Sequence, residues 1–151
     1  MEQTLFRQLN TWRAFTLKTL QKVEENQVDQ IPEGFNNNIR WNAGHIVVIH
    51  DRLTAQMLGE APSYPKGYDT YFNKGTSPKD WDDAVPSLEE IKAELEGQIA
   101  KLEQKLTGNL DREPLGNVFD MPTVGDLTVF SVGHEAMHLS TIHKLMKFTK
   151  V

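Results

Sequence analysis

The chain has no cysteine. That excludes disulfides, thiolate nucleophiles and sulfur-ligated metals. Any metal site must use His, Asp, Glu, backbone or water, and any thiol chemistry needs a thiol supplied from outside. No apolar run approaches the roughly 20 residues that span a bilayer. The first segment, MEQTLFRQLNTWRAF, lacks the basic start, apolar middle and small-residue cleavage site of a secretory signal, so a cytoplasmic protein is expected. A concentrated basic surface is missing too. The net charge is −5, and the basic residues are scattered or lie on the outer face of the last helix. This argues against broad nucleic-acid binding. Internal repeats, low-complexity tracts and alternating strand patterns are also absent.

What is present is ordinary globular composition, 38% apolar and 25% charged over 151 residues. That suits one domain, spanning 1–151, with one core. Four segments carry the helical period, which predicts an all-α four-helix bundle. The first runs from about Thr4 to Glu25, with Leu5, Leu9, Trp12, Leu20 and Val23 near one face and Phe6, Phe15 and Thr16 beside them. The second runs from Ile39 to Leu58, capped by Asn37 or Asn38 and stopped by Gly59 and Pro62. Its apolar stripe is Ile46, Ile49, Leu53 and Met57. The third, Leu88 to Leu106, opens on Ser87-Leu88-Glu89-Glu90, a capping box, and ends at Gly108. The fourth, Val124 to Phe148, opens on Pro122-Thr123 with Asp126 three residues on. Leu127, Phe130, Ile142, Leu145 and Phe148 mark its inner face.

Residues 60–86 are too long for a tight turn. Pro62, Pro65, Gly67, Gly75, Pro78 and Pro86 interrupt them. A crossover of this length lets the third helix run parallel to the second. Its aromatics, Tyr64, Tyr68, Tyr71, Phe72 and Trp81, are expected to pack on the bundle. The sharper expectation is that some of Tyr64, Tyr68, Tyr71 and Trp81 wall a metal pocket.

The five histidines carry the chemistry. His134 and His138 are four residues apart, a rotation of about 40° and a rise of about 6 Å on a helix. They sit in the middle of the buried stripe, flanked in projection by Leu127, Leu145, Phe130 and Phe148. His143 falls on the far side with Lys144, Lys147 and Lys150, and is expected in solvent. Two imidazoles in an apolar stripe need partners for their nitrogens. A hydrogen-bonded core pair and a metal-binding pair account for this pattern equally well. On the second helix, His45 and His50 flank the core direction on opposite sides, about 140° apart. One ion is not expected to take both, and periodicity does not choose between them.

The wider pattern does. Trp41-Asn42-Ala43-Gly44-His45-Ile46 and Thr123-Val124-Gly125-Asp126-Leu127, followed by His134-Glu135-Ala136-Met137-His138, resemble the DinB/YfiT-like family of metal-binding four-helix proteins. The first matches that family's W-x-x-x-H at the start of helix two. The second matches its Thr-led last helix with H-x-x-x-H. The likeness covers nearly the whole chain. It implies an up-down-down-up bundle and a three-histidine metal site on His45, His134 and His138, with His50 outside it. It also implies a homodimer. Where the family often has Gly-Gln shortly after the second histidine, this chain has Leu139-Ser140-Thr141-Ile142, so no substrate contact is carried over.

Three neutral imidazoles suit zinc, nickel or ferrous iron, and three protein ligands leave a position for water or substrate. Relatives in that family include thiol-dependent transferases and isomerases in which the metal activates a small thiol. The expected function is therefore a metal-dependent transferase or hydrolase acting on a small molecule, with a low-molecular-weight thiol as the candidate cosubstrate. A non-catalytic metal-binding stress-response protein and a metal-free partner-binding module are the alternatives.

His134-Glu135-Ala136-Met137-His138 also reads H-E-x-x-H, the metalloprotease signature with Glu as general base. No third ligand stands at a recognised downstream spacing, and no strand offers an edge to hold a peptide. Glu135 is instead expected at the border of the buried stripe. Trp12 and Trp41 are expected in the core. Asn42, close to His45, could contact a water on the metal.

Overall fold

Polar caps set where the long helices begin. Residues 2–116 and 119–150 are described by the computed structural model of the protein. Asn38 accepts from the Trp41 N–H and starts α2 (Ile39–Leu58), which ends on Gly59 at φ 73°. Glycine adopts that left-handed conformation without the Cβ penalty, so the stop is built into the residue type. Ser87 and Glu90 close the capping box of α4 (Leu88–Leu106). Thr123 and Asp126 do the same for α5 (Val124–Phe148). Two of the four unpaired first-turn amides are satisfied reciprocally in each case.

Helix α1 (Glu2–Leu20) is shorter than its periodicity predicts. The chain leaves the helix after Leu20 because Gln27 is drawn under the end of α5. Its side-chain amide donates to the Met146 carbonyl at 3.1 Å and to Thr149 Oγ1 at 2.9 Å. A tight turn at Glu25–Gln27 makes that reach. Val23 still packs on the core, but not as part of α1. Two other aromatic expectations fail. Phe15 is 52% exposed and Phe148 is 65% exposed. Phe148 lies against Phe35 of the first connection instead of facing inward.

Among the described residues every regular element is helical and there is no strand. None of these helices is long and apolar enough to cross a membrane. Helix α2 packs on α4 and α5, and α1 packs on the same two. Side-chain pairs give the running sense of each contact. Glu2 meets Gly108, and Arg13 meets Gln98, so α1 and α4 run oppositely. Arg13 meets Glu135, and Thr19 meets His143, so α1 and α5 run together. Val47 meets Gln98, and Glu60 meets Lys105, so α2 and α4 run together. Asn42 meets His138, and His50 meets Glu135, so α2 and α5 run oppositely.

Two apolar clusters fill the bundle. One gathers Leu20, Ile39, Ile46, Val48, Phe72, Ile91, Leu95, Ile142 and Leu145. The other gathers Leu5, Leu9, Met57, Leu102, Leu106, Val124 and Leu127. Buried polar residues, among them Arg13, Thr16, His50, Gln98 and Glu135, lie between them along the helices.

The crossover is pinned to α2 at its start. The buried Asp51 carboxylate accepts from the Ser63 N–H at 2.8 Å and from its hydroxyl at 2.7 Å. It then forms a short helix, α3 (Tyr68–Phe72), whose Tyr68 and Phe72 are buried in the first cluster.

Candidate metal centre

The segment Trp41 to His45 builds most of one wall of the site. Gly44 has no side chain, and a Cβ there would come within 2.4–2.6 Å of three Phe72 ring atoms. Its absence lets α3 press against α2. The Phe72 carbonyl thereby reaches His45 Nδ1 at 2.6 Å. Trp41 stacks on the His45 ring, with centroids 4.5 Å apart and planes 15° from parallel. Its indole N–H is held in turn by Thr76 Oγ1 at 2.9 Å. Trp41 is thus a core residue, as expected, and also the plate that fixes a histidine.

Helix α5 supplies the opposite wall. His134 and His138 face α2, and their Nε2 atoms stand 3.2 Å apart. His138 Nδ1 lies 2.8 Å from Asn42 Oδ1. The Asn42 amide nitrogen is itself committed to the Asn38 carbonyl and to Asn37 Oδ1. With that amide donating, the Asn42 oxygen is the acceptor and His138 Nδ1 carries the proton. Asn42 therefore orients His138. The same logic applies to His45, whose Nδ1–H donates to a carbonyl. Both rings then offer a bare Nε2 lone pair.

One candidate nitrogen from each of His45, His134 and His138 lies within 4.8 Å of the others. Two imidazole nitrogens on one tetrahedral zinc stand roughly 3.3 Å apart, given bonds near 2.0–2.1 Å. The His134–His138 separation already has that value. Facing lone pairs at this distance repel unless a proton or a cation lies between them. Burial pushes all three imidazoles below their ordinary pKa, and the hydrogen bond to Phe72 only partly opposes this at His45. His134 is lowered to about 4 and His138 to about 3, first by burial and then by the neighbouring histidines. The rings are therefore neutral near pH 7, which is the form that binds metal. His134 Nδ1 is buried with no hydrogen-bond partner among the described residues. The donor set fits a divalent ion of the zinc, nickel or ferrous class.

The other histidines are elsewhere. His143 is exposed, as expected, with Nε2 2.9 Å from Thr19 Oγ1. His50 points away from the cluster and places Nε2 2.9 Å from Glu135 Oε2. Glu135 is not at the border of the stripe. It is 1% exposed, and its carboxylate takes Arg13 Nε at 2.9 Å and the Thr16 hydroxyl at 2.8 Å. Burial alone would push this carboxyl up. The Arg13 guanidinium and His50 outweigh that and hold it well below the usual carboxylate range. A glutamate so engaged, its carboxylate turned to Arg13, Thr16 and His50, is not placed to act as the base of an H-E-x-x-H site.

A cavity of about 340 Å³ opens beside His45 and His134. Ile49, Leu53 and Phe130 line it together with Phe119 and Lys74. None of Tyr64, Tyr68, Tyr71 or Trp81 is among its lining. Those four pack against the first apolar cluster, so the crossover aromatics serve the core. The crossover's contribution to the site is the Phe72 carbonyl and Lys74, neither of which composition or periodicity singles out. Arg13 is signalled in the sequence only by its place on the buried face between Leu9 and Thr16.

The family model described as the DinB superfamily matches residues 8–142, a span that contains all three histidines and both motif segments. No curated protein matches the chain.

Proposed function

Because the chain belongs to the DinB superfamily, we propose that His45, His134 and His138 hold one divalent metal ion, and that the protein is a cytoplasmic metal-dependent transferase or hydrolase acting on a small molecule, with a low-molecular-weight thiol as the candidate cosubstrate. The observation that carries this reading is the convergence of imidazole nitrogens whose opposite edges are already engaged. A divalent ion held there supplies Lewis acidity that lowers the pKa of a water or a thiol.

The chain's own groups do the rest. The Phe72 carbonyl and Asn42 Oδ1 fix the tautomers of His45 and His138, so that the bare nitrogens face inward. Trp41 keeps the His45 ring from rotating. Ile49, Leu53 and Phe130 exclude water from one side of the cluster and give an apolar body somewhere to lie. Two apolar clusters and a paired ionic network already hold the bundle together. That favours a reactive role for the ion over a purely structural one.

Protein purified without a His tag should retain about one equivalent of metal by elemental analysis. The metal-loaded protein should turn over electrophiles or esters in a panel run with and without small thiols. A metal-loaded protein that binds no thiol and turns over nothing, while His138→Ala sharply lowers its melting temperature, would make the ion structural.

A further inference from the structure

The cavity beside the histidine cluster has a direction. His45, Ile49 and Leu53 follow one another along α2, and Phe130 stands one turn before His134 on the antiparallel α5. From His45 to Leu53 is about 12 Å along the helix axis. The slot therefore runs from the histidines toward Leu53 and Phe130. Its far end is aromatic and part-exposed. Phe119 is 48% exposed and sits 4.4 Å, centroid to centroid, from Phe130. Phe130 continues the row to His134 at 6.3 Å.

The near end carries a charge. Lys74 lines the same cavity two residues beyond Phe72, whose carbonyl touches His45. It makes no ion pair among the described residues. In a chain of net charge −5, an unpaired cation over an apolar slot is a local reversal of sign.

Resting on the reading of the three histidines as the reactive centre, we propose that this slot binds an elongated small molecule with an anionic head and an apolar, preferably aromatic, tail. The head lies at the histidine end, where Lys74 neutralises it. The tail lies along Leu53 and Phe130, with Phe119 as its outer cover. Substrates of this class carry their anionic group close to the atom that reacts.

The probes are 4-phenylbutyrate and its uncharged amide, titrated into full-length protein by calorimetry, once after chelation and once after zinc loading. The carboxylate should bind about tenfold more tightly than the amide in both forms. Lys74→Gln should erase that ratio, and Phe130→Ala should weaken both probes about tenfold with the ratio intact. Equal binding of the two probes overturns the proposal. So does a carboxylate preference that survives Lys74→Gln or appears only with zinc, because the ion would then be the anion's partner. Binding of neither probe, or binding unaffected by Phe130→Ala, removes the slot as the site. Failure of the protein to take up zinc would sink the metal reading alone, since the comparison in chelated protein still decides this one.

Discussion

Helix α5 contributes to two centres, a buried one at Glu135 and a half-buried one at His134, one residue apart in sequence and about 100° apart around the helix. One is closed. Both oxygens of Glu135 are used, by Arg13, Thr16 and His50. The rest of the Arg13 fork goes to the Leu95 carbonyl at 2.6 Å and to Gln98 Oε1 at 3.0 Å. Gln98 in turn donates to the Val47 carbonyl at 2.8 Å. The network ties all four long helices together. The other centre is open. His45 and His138 have their outer nitrogens held, while the inner nitrogens of all three rings gather within 4.8 Å, joined only by the His134–His138 contact at 3.2 Å. The same residue type gives a lock where its partners are internal, and a binding site where they are not.

That contrast is sharpened first by breaking the lock. Arg13→Ala leaves Glu135 buried without its main counter-charge, which should cost about 3–5 kcal/mol. For a chain of this size the melting temperature should fall by roughly 10 °C. Arg13→Met with Glu135→Leu should restore most of that loss in thermal unfolding, because an apolar pair of similar volume replaces the ions. If the double variant is as unstable as the single, the network is worth more than its charges and the description of it is incomplete.

The open centre should answer in a different quantity. His138→Ala should lower metal affinity by about a hundredfold or more in competition titrations, given that outer-shell losses alone reach that range. The metal-free protein should unfold at nearly its original temperature. Asn42→Ala should cost about tenfold in affinity, because His138 loses the acceptor that sets its tautomer. Unchanged affinity in Asn42→Ala would mean that His138 is oriented by packing alone.

The smallest expected effect is the acid response of the metal-free protein. His134 and His138 lie at about 4 and about 3 in the fold, below their ordinary value. The unfolded chain therefore binds protons that the folded chain refuses, and stability is lost as pH falls through the ordinary imidazole range toward those values. Melting curves of chelated protein should shift downward from pH 7 to pH 5, and less so for His134→Ala. An equal shift in both would place the protonation elsewhere.

Much of the fold was legible because caps are local chemistry. Asn38, Ser87 and Thr123 announce three helix starts, and Gly59 one end, without reference to the rest of the chain. The end of α1 was not legible, because it depends on Gln27 reaching the far end of α5. The histidine pair on α5 was visible from its spacing. The choice between His45 and His50 was not, since both are buried and face different neighbours. Resemblance to the family pointed to His45, and the structure brings that residue to the cluster. The burial of Arg13 and the full burial of Glu135, which the sequence places only at the border of the stripe, were not legible because charge suggests surface. Their positions on the buried periods, with Leu9 and Thr16 on α1 and Val132 and Leu139 on α5, held the signal. Gly44 is the clearest case of a residue whose role needs the fold: only the Phe72 ring above it explains why no side chain fits.

The most direct measurement is anomalous diffraction from a crystal of tag-free, zinc-loaded protein. One strong peak is expected, bonded to a single nitrogen from each of His45, His134 and His138, with no peak near His50. An empty cluster with the ion held elsewhere would contradict the three-histidine site.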